Sequence, residues 1–474
     1  MRDISQHEVV ERLRFDNPWW VDRVGVDPMY RDMPQRAYLL AFEQLVTERS
    51  VTRAVILMGP RRVGKTVMVY QTIQRLMDAG VPPAHILYVS LETPLYTGLG
   101  LEQILKLFHG LFGHDRHADL YLFFDEIQYL RQWELHLKSL VDSYRAHKFI
   151  ATGSAAAALR LKSRESGAGR FTEFLLPPLT FAEYLNFIKR EDELIGPTTV
   201  ESGRILELND EFVRYLNFGG YPEAVFSPQI QAESSRYIKS DIIDKVLLRD
   251  LPSLYGISDI QELNRLFTVI AYNTGDEVSL EGLAKSSGVA KNTLKRYLEY
   301  LEAAFLIRRV NRIDQHARRF TRATSFKVYL TNPSMRAALF GPVTADNEVM
   351  GRLAETAIFS QWFHAPNTGE RISYARWKQG EVDLVYLDPQ THKPDWIVEV
   401  KWSDRQAERP EELDAVVGFV KQHGIQEALI TSRSVEAQKI RQEVTLTFSP
   451  AALYCYSVGK NIVTFVVHVN KKAK

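Results

Sequence analysis

Along the first third of the chain, short apolar runs end in polar or glycine-rich turns and alternate with segments whose apolar residues recur at helical spacing. The runs are "AVILMG", "HILYVSLE", "LYLFFDEI" and "KFIATGS". Strands separated by helices predict an α/β fold with a parallel sheet covered on both faces. Residues 1–50 read as amphipathic helix, with "AYLLAFEQLV" feeding the first strand. From 181 to 262 the pattern is helical, broken at "GGYPEA"; 263–344 give a compact helical stretch followed by a basic one; 345–474 return to mixed helix and strand. The expected organisation is therefore four segments, 1–180, 181–262, 263–344 and 345–474, with the clearest boundary at the turn-rich "FGPVTADNE".

Composition narrows the class. With 45% hydrophobic and 25% charged residues, the 474-residue chain can bury more than one core and is not a disordered polyelectrolyte. A net charge of +1 neither demands nor excludes nucleic acid, so the local distribution of charge matters more than its sum. The single cysteine, Cys455, excludes an internal disulfide and a cysteine-based zinc site and is expected as a small buried hydrophobe. No apolar run approaches the roughly 20 residues of a membrane helix, and "MRDISQHEVVERLRF" lacks a signal-peptide centre. The expectation is a cytoplasmic protein without a membrane partner. Histidines are scattered without metal-ligand spacing, and "NPWW", Trp362, Trp377, Trp396 and Trp402 are expected as core anchors.

"GPRRVGKT" follows the first strand run and opens the helical run "VMVYQTIQRLM", a context that fits the P-loop pattern with Gly59, Gly64, Lys65 and Thr66. The glycines let backbone N–H groups converge on phosphates, and the helix N-terminus adds its partial positive charge. Lys65 reaches the outer phosphates and Thr66 can ligate magnesium. "LYLFFDEI" ends in Asp125, expected to hold the metal through its shell, and Glu126, expected to polarise the attacking water. "KFIATGS" ends in Thr152 and Ser154, either of which can sense the γ-phosphate. Hydrolysis also calls for an arginine at the developing charge, often from a neighbouring subunit. Arg160, Arg164 and Arg170 follow that strand, and Arg170 is the first candidate because the glycines before it indicate an exposed loop. ATP and Mg2+ are the expected cofactors.

"VSLEGLAKSSGVAKNTLKRYLEYLEAAFLIRRV" has the cadence of a helix-turn-helix, with a short helix over Leu280 to Lys285, a turn at Gly288 and a longer helix from Lys291. Leu294, Leu298 and Leu301 recur at helical spacing and should face the core, leaving Lys291, Asn292, Lys295 and Arg296 outward. Arg308, Arg309, Arg312, Arg318, Arg319 and Arg322 follow against one acid, Asp314, a cluster that implies phosphate contacts and DNA as partner. The bland alternatives are a solvated basic face or a protein–protein module.

In "GEVDLVYLDPQTHKPDWIVEVKWS" the turn "DPQTHKPD" suits a hairpin. Side chains alternate along a strand, so Glu399 and Lys401 project from one side while Val398, Val400 and Trp402 take the other. Asp383, on the preceding strand, can join them. Two carboxylates suit a hard divalent cation, and a lysine beside them can orient a nucleophile or stabilise a charged transition state. The plain alternative is a surface ion pair.

The succession "GPRRVGKT", "FFDEIQ", "ATGS", "GRFTEFLLPPLTFAEYL" and "GGYPEAV" resembles, over nearly the whole chain, the bacterial and archaeal AAA+-type ATPases that carry a C-terminal domain of unknown function. The resemblance implies a P-loop NTPase sheet with a helical lid and a winged-helix segment. Its most specific parts, "LPPLTFAEYL" and "GGYPEA", have no chemistry that spacing rules supply. Where the family often has serine after "TGS", this chain has Ala155, which leaves sensing to Thr152 or Ser154. The hairpin is similar to the PD-(D/E)xK nuclease core, which implies a restriction-endonuclease-like α/β domain with Asp383 as first acid and Glu399 and Lys401 as the ExK. Glu355, in "GRLAETAIFSQWF", matches a further helix-borne acid, and Val382 stands where the superfamily has proline. Metal ligation is thus expected from Thr66 and Asp125 at one site and from Asp383, Glu399 and Glu355 at the other. The expected function is an ATP-hydrolysing protein that binds DNA and cleaves it with Mg2+, in genome defence by analogy alone. Its rivals are an ATP-dependent DNA motor or loader that does not cut, and a nucleotide-controlled switch binding a partner protein. The sequence leaves ring, dimer and monomer open.

Overall fold

In the computed structural model, residues 5–22, 25–96, 98–153, 169–196, 202–318 and 325–469 are described. Ser154, Ala155, Arg160, Arg164, Arg319, Arg322 and the tail from 470 lie outside them. The four apolar runs become β1 (Ala54–Met58), β2 (Ile86–Ser90), β3 (Tyr121–Asp125) and β4 (Lys148–Gly153). All four are buried on both faces, which is why they read as continuous apolar runs and not as alternations. A fifth strand, β5 (Phe171–Leu175), escapes the pattern because its half-exposed residues make no such run. Every pairing is parallel, in the order β2-β3-β4-β1-β5. Helices Lys65–Asp78, Leu101–Phe112 and Trp133–Ser143 connect the strands. Ile56, Leu87, Phe108, Phe124, Trp133 and Phe149 fill the core. The C-terminal ends of β1, β3 and β4 carry Gly59, Asp125 and Thr152 to one edge of the sheet, where the strand order changes direction.

The chain divides into two compact units, residues 1–176 with the segment from 465, and residues 177–464. The second unit is built on a nine-stranded sheet. Its strands are β6 (Glu277–Ser279), β7 (Ile307–Ile313), β8 (Ser325–Leu330), β9 (Ile372–Trp377), β10 (Gly380–Leu387), β11 (Pro394–Glu399), β12 (Glu427–Ser432), β13 (Ala437–Arg441) and β14 (Val444–Pro450), in the order β13-β14-β12-β11-β10-β9-β7-β8-β6. The expected boundary at 345 runs through the inside of this unit. β7 pairs in parallel with β9, Arg312 beside Tyr374 and Ile313 beside Ala375, so one sheet spans the turn. One core also joins Leu179 and Phe212 to Val310 and Tyr329 and to Ile358, Leu384 and Cys455. "FGPVTADNE" is a genuine turn, but it is tied down: the Asn217 amide exchanges two 2.9 Å hydrogen bonds with the Val343 backbone. Turn chemistry reports a local reversal, not a loss of tertiary contact.

The helix-turn-helix elements form as expected. Leu280–Ser287 is capped by the Ser279 hydroxyl and ends at Gly288 with φ 75°; Lys291–Ala303 follows. Leu294, Leu298 and Leu301 are fully buried, whereas Lys291, Asn292, Lys295 and Arg296 are exposed. "GGYPEA" and "LPPLTFAEYL" prove to be one packing joint. The Leu179 N–H donates to the Gly220 carbonyl (2.9 Å), and the Tyr215 hydroxyl donates to the Leu179 carbonyl (2.8 Å). A Cβ at position 220 would lie 2.3 Å from the Asn332 side-chain amide, so only glycine fits. Thr180 and Glu183 close a capping box at the start of Phe181–Phe187. The tryptophans are anchors: Trp362 and Trp377 stack on Trp396 and Phe419, and Trp402 donates to the Ala345 carbonyl (3.0 Å). Among the described residues no helix is long and apolar enough to cross a membrane.

Candidate functional site

The loop from Gly59 to Gly64 joins β1 to the Lys65–Asp78 helix. Gly64 caps that helix at φ 95°, a left-handed conformation that glycine adopts without strain. A Cβ on Gly59 would fall 2.1 Å from the Leu176 carbonyl oxygen, so the loop's first glycine is a steric requirement of the sheet edge. Lys65 is buried, with its ammonium 3.0 Å from the Gly59 carbonyl and 2.7 Å from that of Pro60. Thr66 Oγ1 donates to Asp125 Oδ2 (3.0 Å), which also accepts from the Tyr88 hydroxyl (2.8 Å). Thr152 Oγ1 bonds the other Asp125 oxygen and accepts the Glu126 N–H at 3.3 Å. Glu126 sits at the strand end with φ 54° and is bonded by the Gln128 amide. Burial raises its carboxyl above the ordinary range, with Lys65 pulling the other way. The predicted Thr66, Asp125, Glu126 and Thr152 are thus brought together around Lys65.

Two contributors were missed. Arg36, buried, donates to the Val63 carbonyl at 2.7 Å and pins the loop from outside it, and Tyr88 holds Asp125 from β2. Neither carries a local signal, since each acts through a contact distant in sequence.

Arg170 does not reach this chain's own P-loop. It precedes β5 beside Ala54, at the start of β1, whereas Gly59 follows that strand's far end, and its guanidinium pairs with Asp142 at 2.5 Å. Glycines before it indicated exposure correctly but not which end of the sheet it occupies. The described part of the basic stretch is also largely occupied. Arg309 binds Glu302, Arg312 donates to the Arg376 carbonyl (2.9 Å), and Arg308 lies 3.6 Å from Glu370; Arg318 is exposed.

The hairpin forms in the second unit, with Leu384 on β10 opposite Val398 on β11. Asp383 and Glu399 are buried side by side, the Asp383 N–H lying 3.3 Å from Glu399 Oε2. Lys401, just past the end of β11, approaches Glu399 Oε1 at 2.6 Å and Asp383 Oδ2 at 3.7 Å. Glu355 enters from the Met350–Gln361 helix. All four line a cavity of about 350 Å³ together with Asp276, Glu277, Glu381, Lys327, Arg352 and Arg376. The expected carboxylates are therefore gathered, but not as a closed ligand set: among the described residues no three His, Cys, Asp or Glu converge as metal ligands. Lys327 of β8 stands among them, its ammonium 2.8 Å from Glu355 Oε1, 3.0 Å from Asp383 Oδ1 and 2.7 Å from Glu381 Oε1. The histidines likewise make no such set, although His109 and His147 meet at 3.1 Å between their Nε2 atoms.

Charge and burial compete in this cavity. Burial, reinforced by neighbouring Asp383, lifts the Glu355 and Glu399 carboxyls to about 7 against the pull of Lys327 and Lys401. At Asp383 burial acts in the same direction, but Lys327, Lys401 and the Val400 N–H outweigh it and hold the group below its usual value. The surrounding carboxylates raise Lys327 well above an ordinary lysine in spite of its burial.

Residues 51–185 match the model of the AAA domain, and residues 209–346 match a domain of unknown function (DUF8612). An uncharacterized protein of Methanocaldococcus jannaschii is 25% identical over 73% of this chain and 75% of its own length. One of Haemophilus influenzae is 24% identical over 84% and 94%. Among solved structures, the Aeropyrum pernix ORC2 protein is 18% identical, covering 58% of this chain and 86% of that one at a TM-score of 0.35. DnaA from Aquifex aeolicus is 13% identical over 58% and 92%, at 0.29. These likenesses are too low to carry fold or function. The matched span 51–185 holds the P-loop, the Asp125–Glu126 pair and Thr152, and this part of the chain is similar to the AAA domain.

Proposed function

We propose that the chain binds and hydrolyses ATP at its P-loop and acts on DNA, cutting the phosphodiester backbone in the carboxylate–lysine cavity. The observation that carries the first half is the 3.0 Å bond between Thr66 and Asp125, which joins the start of the P-loop helix to the end of β3, where these two side chains would hold a nucleotide's magnesium. In that reading Lys65 leaves the loop carbonyls for the outer phosphates, Glu126 orients the attacking water, and Thr152 fixes both acids. The second half is supported by the meeting of Asp383, Glu399, Glu355 and Lys401 in one cavity.

The carboxylate oxygens of the cavity are donors of the kind a hard divalent cation takes. The cavity is lined by six acidic against four basic side chains, its donors are carboxylate oxygens, and Lys327 already stands among them as a positive charge. When bound, magnesium would neutralise phosphate charge and activate water. Asp383, Glu399 and Glu355 would hold it, while Lys401 would face the charge developing on phosphorus.

The test is incubation of the full chain with Mg2+ and assorted DNA and RNA, with and without ATP, comparing the parent with Lys65→Ala and Asp383→Ala. Lys65→Ala is expected to lose hydrolysis, and Asp383→Ala to lose cleavage while still hydrolysing ATP. A parent that releases no phosphate from ATP would overturn the first half. Equal cleavage with and without ATP would remove the coupling. A second reading, a DNA-gripping domain that does not cut, is favoured by the neutralisation of Glu355 and Asp383 by Lys327. It expects Asp383→Ala to leave DNA binding and ATP turnover intact, with no cleavage by the parent.

A further inference from the structure

Lys327 was not a candidate from sequence, yet it is the group most tightly held in the cavity. It sits on β8, its side chain is 4% exposed, and its ammonium meets Glu355, Asp383 and Glu381 at 2.8, 3.0 and 2.7 Å. An ammonium has three N–H donors, so three carboxylates saturate it. Tyr329, on the same face two residues on, donates to Glu355 Oε1 at 2.5 Å, and the Tyr374 ring lies 5.4 Å from the ammonium. The three acids come from beyond residue 345, and the lysine comes from before it.

The oxygens that Lys327 binds at hydrogen-bond distance are those a magnesium ion would need at about 2.1 Å. A single and a double positive charge cannot share the Glu355–Asp383 gap without strong repulsion in a buried site. A displaced ammonium would have to share Glu277, which already accepts from the Tyr374 hydroxyl at 2.7 Å and lies 3.7 Å from Arg312 and 3.9 Å from Arg376. Glu277 on β6 is the direct cross-strand partner of Lys327 and lines the same cavity. Resting on the reading of this cavity as a divalent-cation site, we propose that Lys327 is a resident counter-ion occupying the cation position between Glu355 and Asp383, so that a divalent cation enters only as Lys327 swings away. Strand β8 thereby sets the cation affinity of a site whose ligands all lie elsewhere.

The experiment is titration of Mn2+ into the nucleotide-free full chain, read by the electron-spin signal of free Mn2+, for the parent, Lys327→Met, Lys327→Arg and Lys327→Met combined with Asp383→Asn. The P-loop contributes the same background to all four. Lys327→Met is expected to bind at least about tenfold more tightly than the parent, because the competing charge is gone. Lys327→Arg should remain weak, and the double variant should lose the site. Should Lys327→Met unfold, Lys327→Gln, which keeps two N–H donors without the charge, carries the same expectation. Equal affinity in the parent and the uncharged variant, with the site lost on Asp383→Asn, overturns the competition. If the double variant binds as Lys327→Met does, or if no variant binds, the metal reading itself falls and the competition with it.

Discussion

Both candidate sites hold a lysine ammonium where a ligand's charge would otherwise act, but on different acceptors. Lys65 donates to two carbonyls of its own loop and also acts on the Glu126 carboxyl, whereas Lys327 is bonded by three carboxylates. A hydrogen bond to a carbonyl is readily exchanged for one to phosphate, since the charge-assisted bond is the stronger. Removing an ammonium from buried carboxylates uncovers charge on both sides. On the proposed reading, Lys65 would exchange two carbonyls for phosphate, whereas a divalent cation would reach the cavity only by displacing Lys327 from its carboxylates.

The largest expected effect tests the first half of that contrast. Glu126→Gln should retain ATP binding and slow hydrolysis by about 10²–10⁴-fold, as loss of a general base does, measured as phosphate release beside nucleotide binding. Turnover close to the parent would remove Glu126 from the chemistry. Next comes the interior of the second unit. Leu298→Ala and Leu384→Ala, on either side of residue 345 and both fully buried, should each cost about 2–5 kcal/mol and lower the same unfolding transition. Two separable transitions in calorimetry would show that 263–344 and 345–464 fold as separate bodies.

A smaller effect concerns pH. With Glu355 and Glu399 lifted to about 7, each must shed a proton before it can ligate, so Mn2+ affinity at the cavity should rise between about pH 6 and pH 8 and fall on acidification. A flat profile in the same titration would mean that neither group is a ligand. The smallest is a pair of helix caps. Thr180→Ala removes a buried capping box in the second unit and should cost about 1–2 kcal/mol; Ser5→Ala removes an exposed one in the first and should cost about 0.5 kcal/mol. Denaturant midpoints of the two variants decide the order.

What the sequence revealed was what short-range patterns encode. β1 to β4 follow from apolar runs, the P-loop from its strand–loop–helix context, the hairpin from "DPQTHKPD", and the buried leucines of Lys291–Ala303 from helical spacing. What it concealed depends on partners far along the chain. Lys327 drew no reading from the sequence, because its meaning lies in Glu355 and Asp383, which its own neighbours do not announce. Arg170 looked like an exposed loop cation, and only the register of β5 against β1 shows which end of the sheet it occupies. The polar turn before 345 suggested a linker, but the parallel pairing of β7 with β9 crosses it, and such a pairing leaves no trace in local composition.

That pairing has a practical corollary. Cutting the polypeptide at residue 345 to obtain its two halves would tear a sheet down its middle, baring unsatisfied N–H and C=O rows on β7 and β9. Each fragment would then carry a sticky flank inviting precipitation or swapped dimers, and neither would report faithfully on the intact molecule.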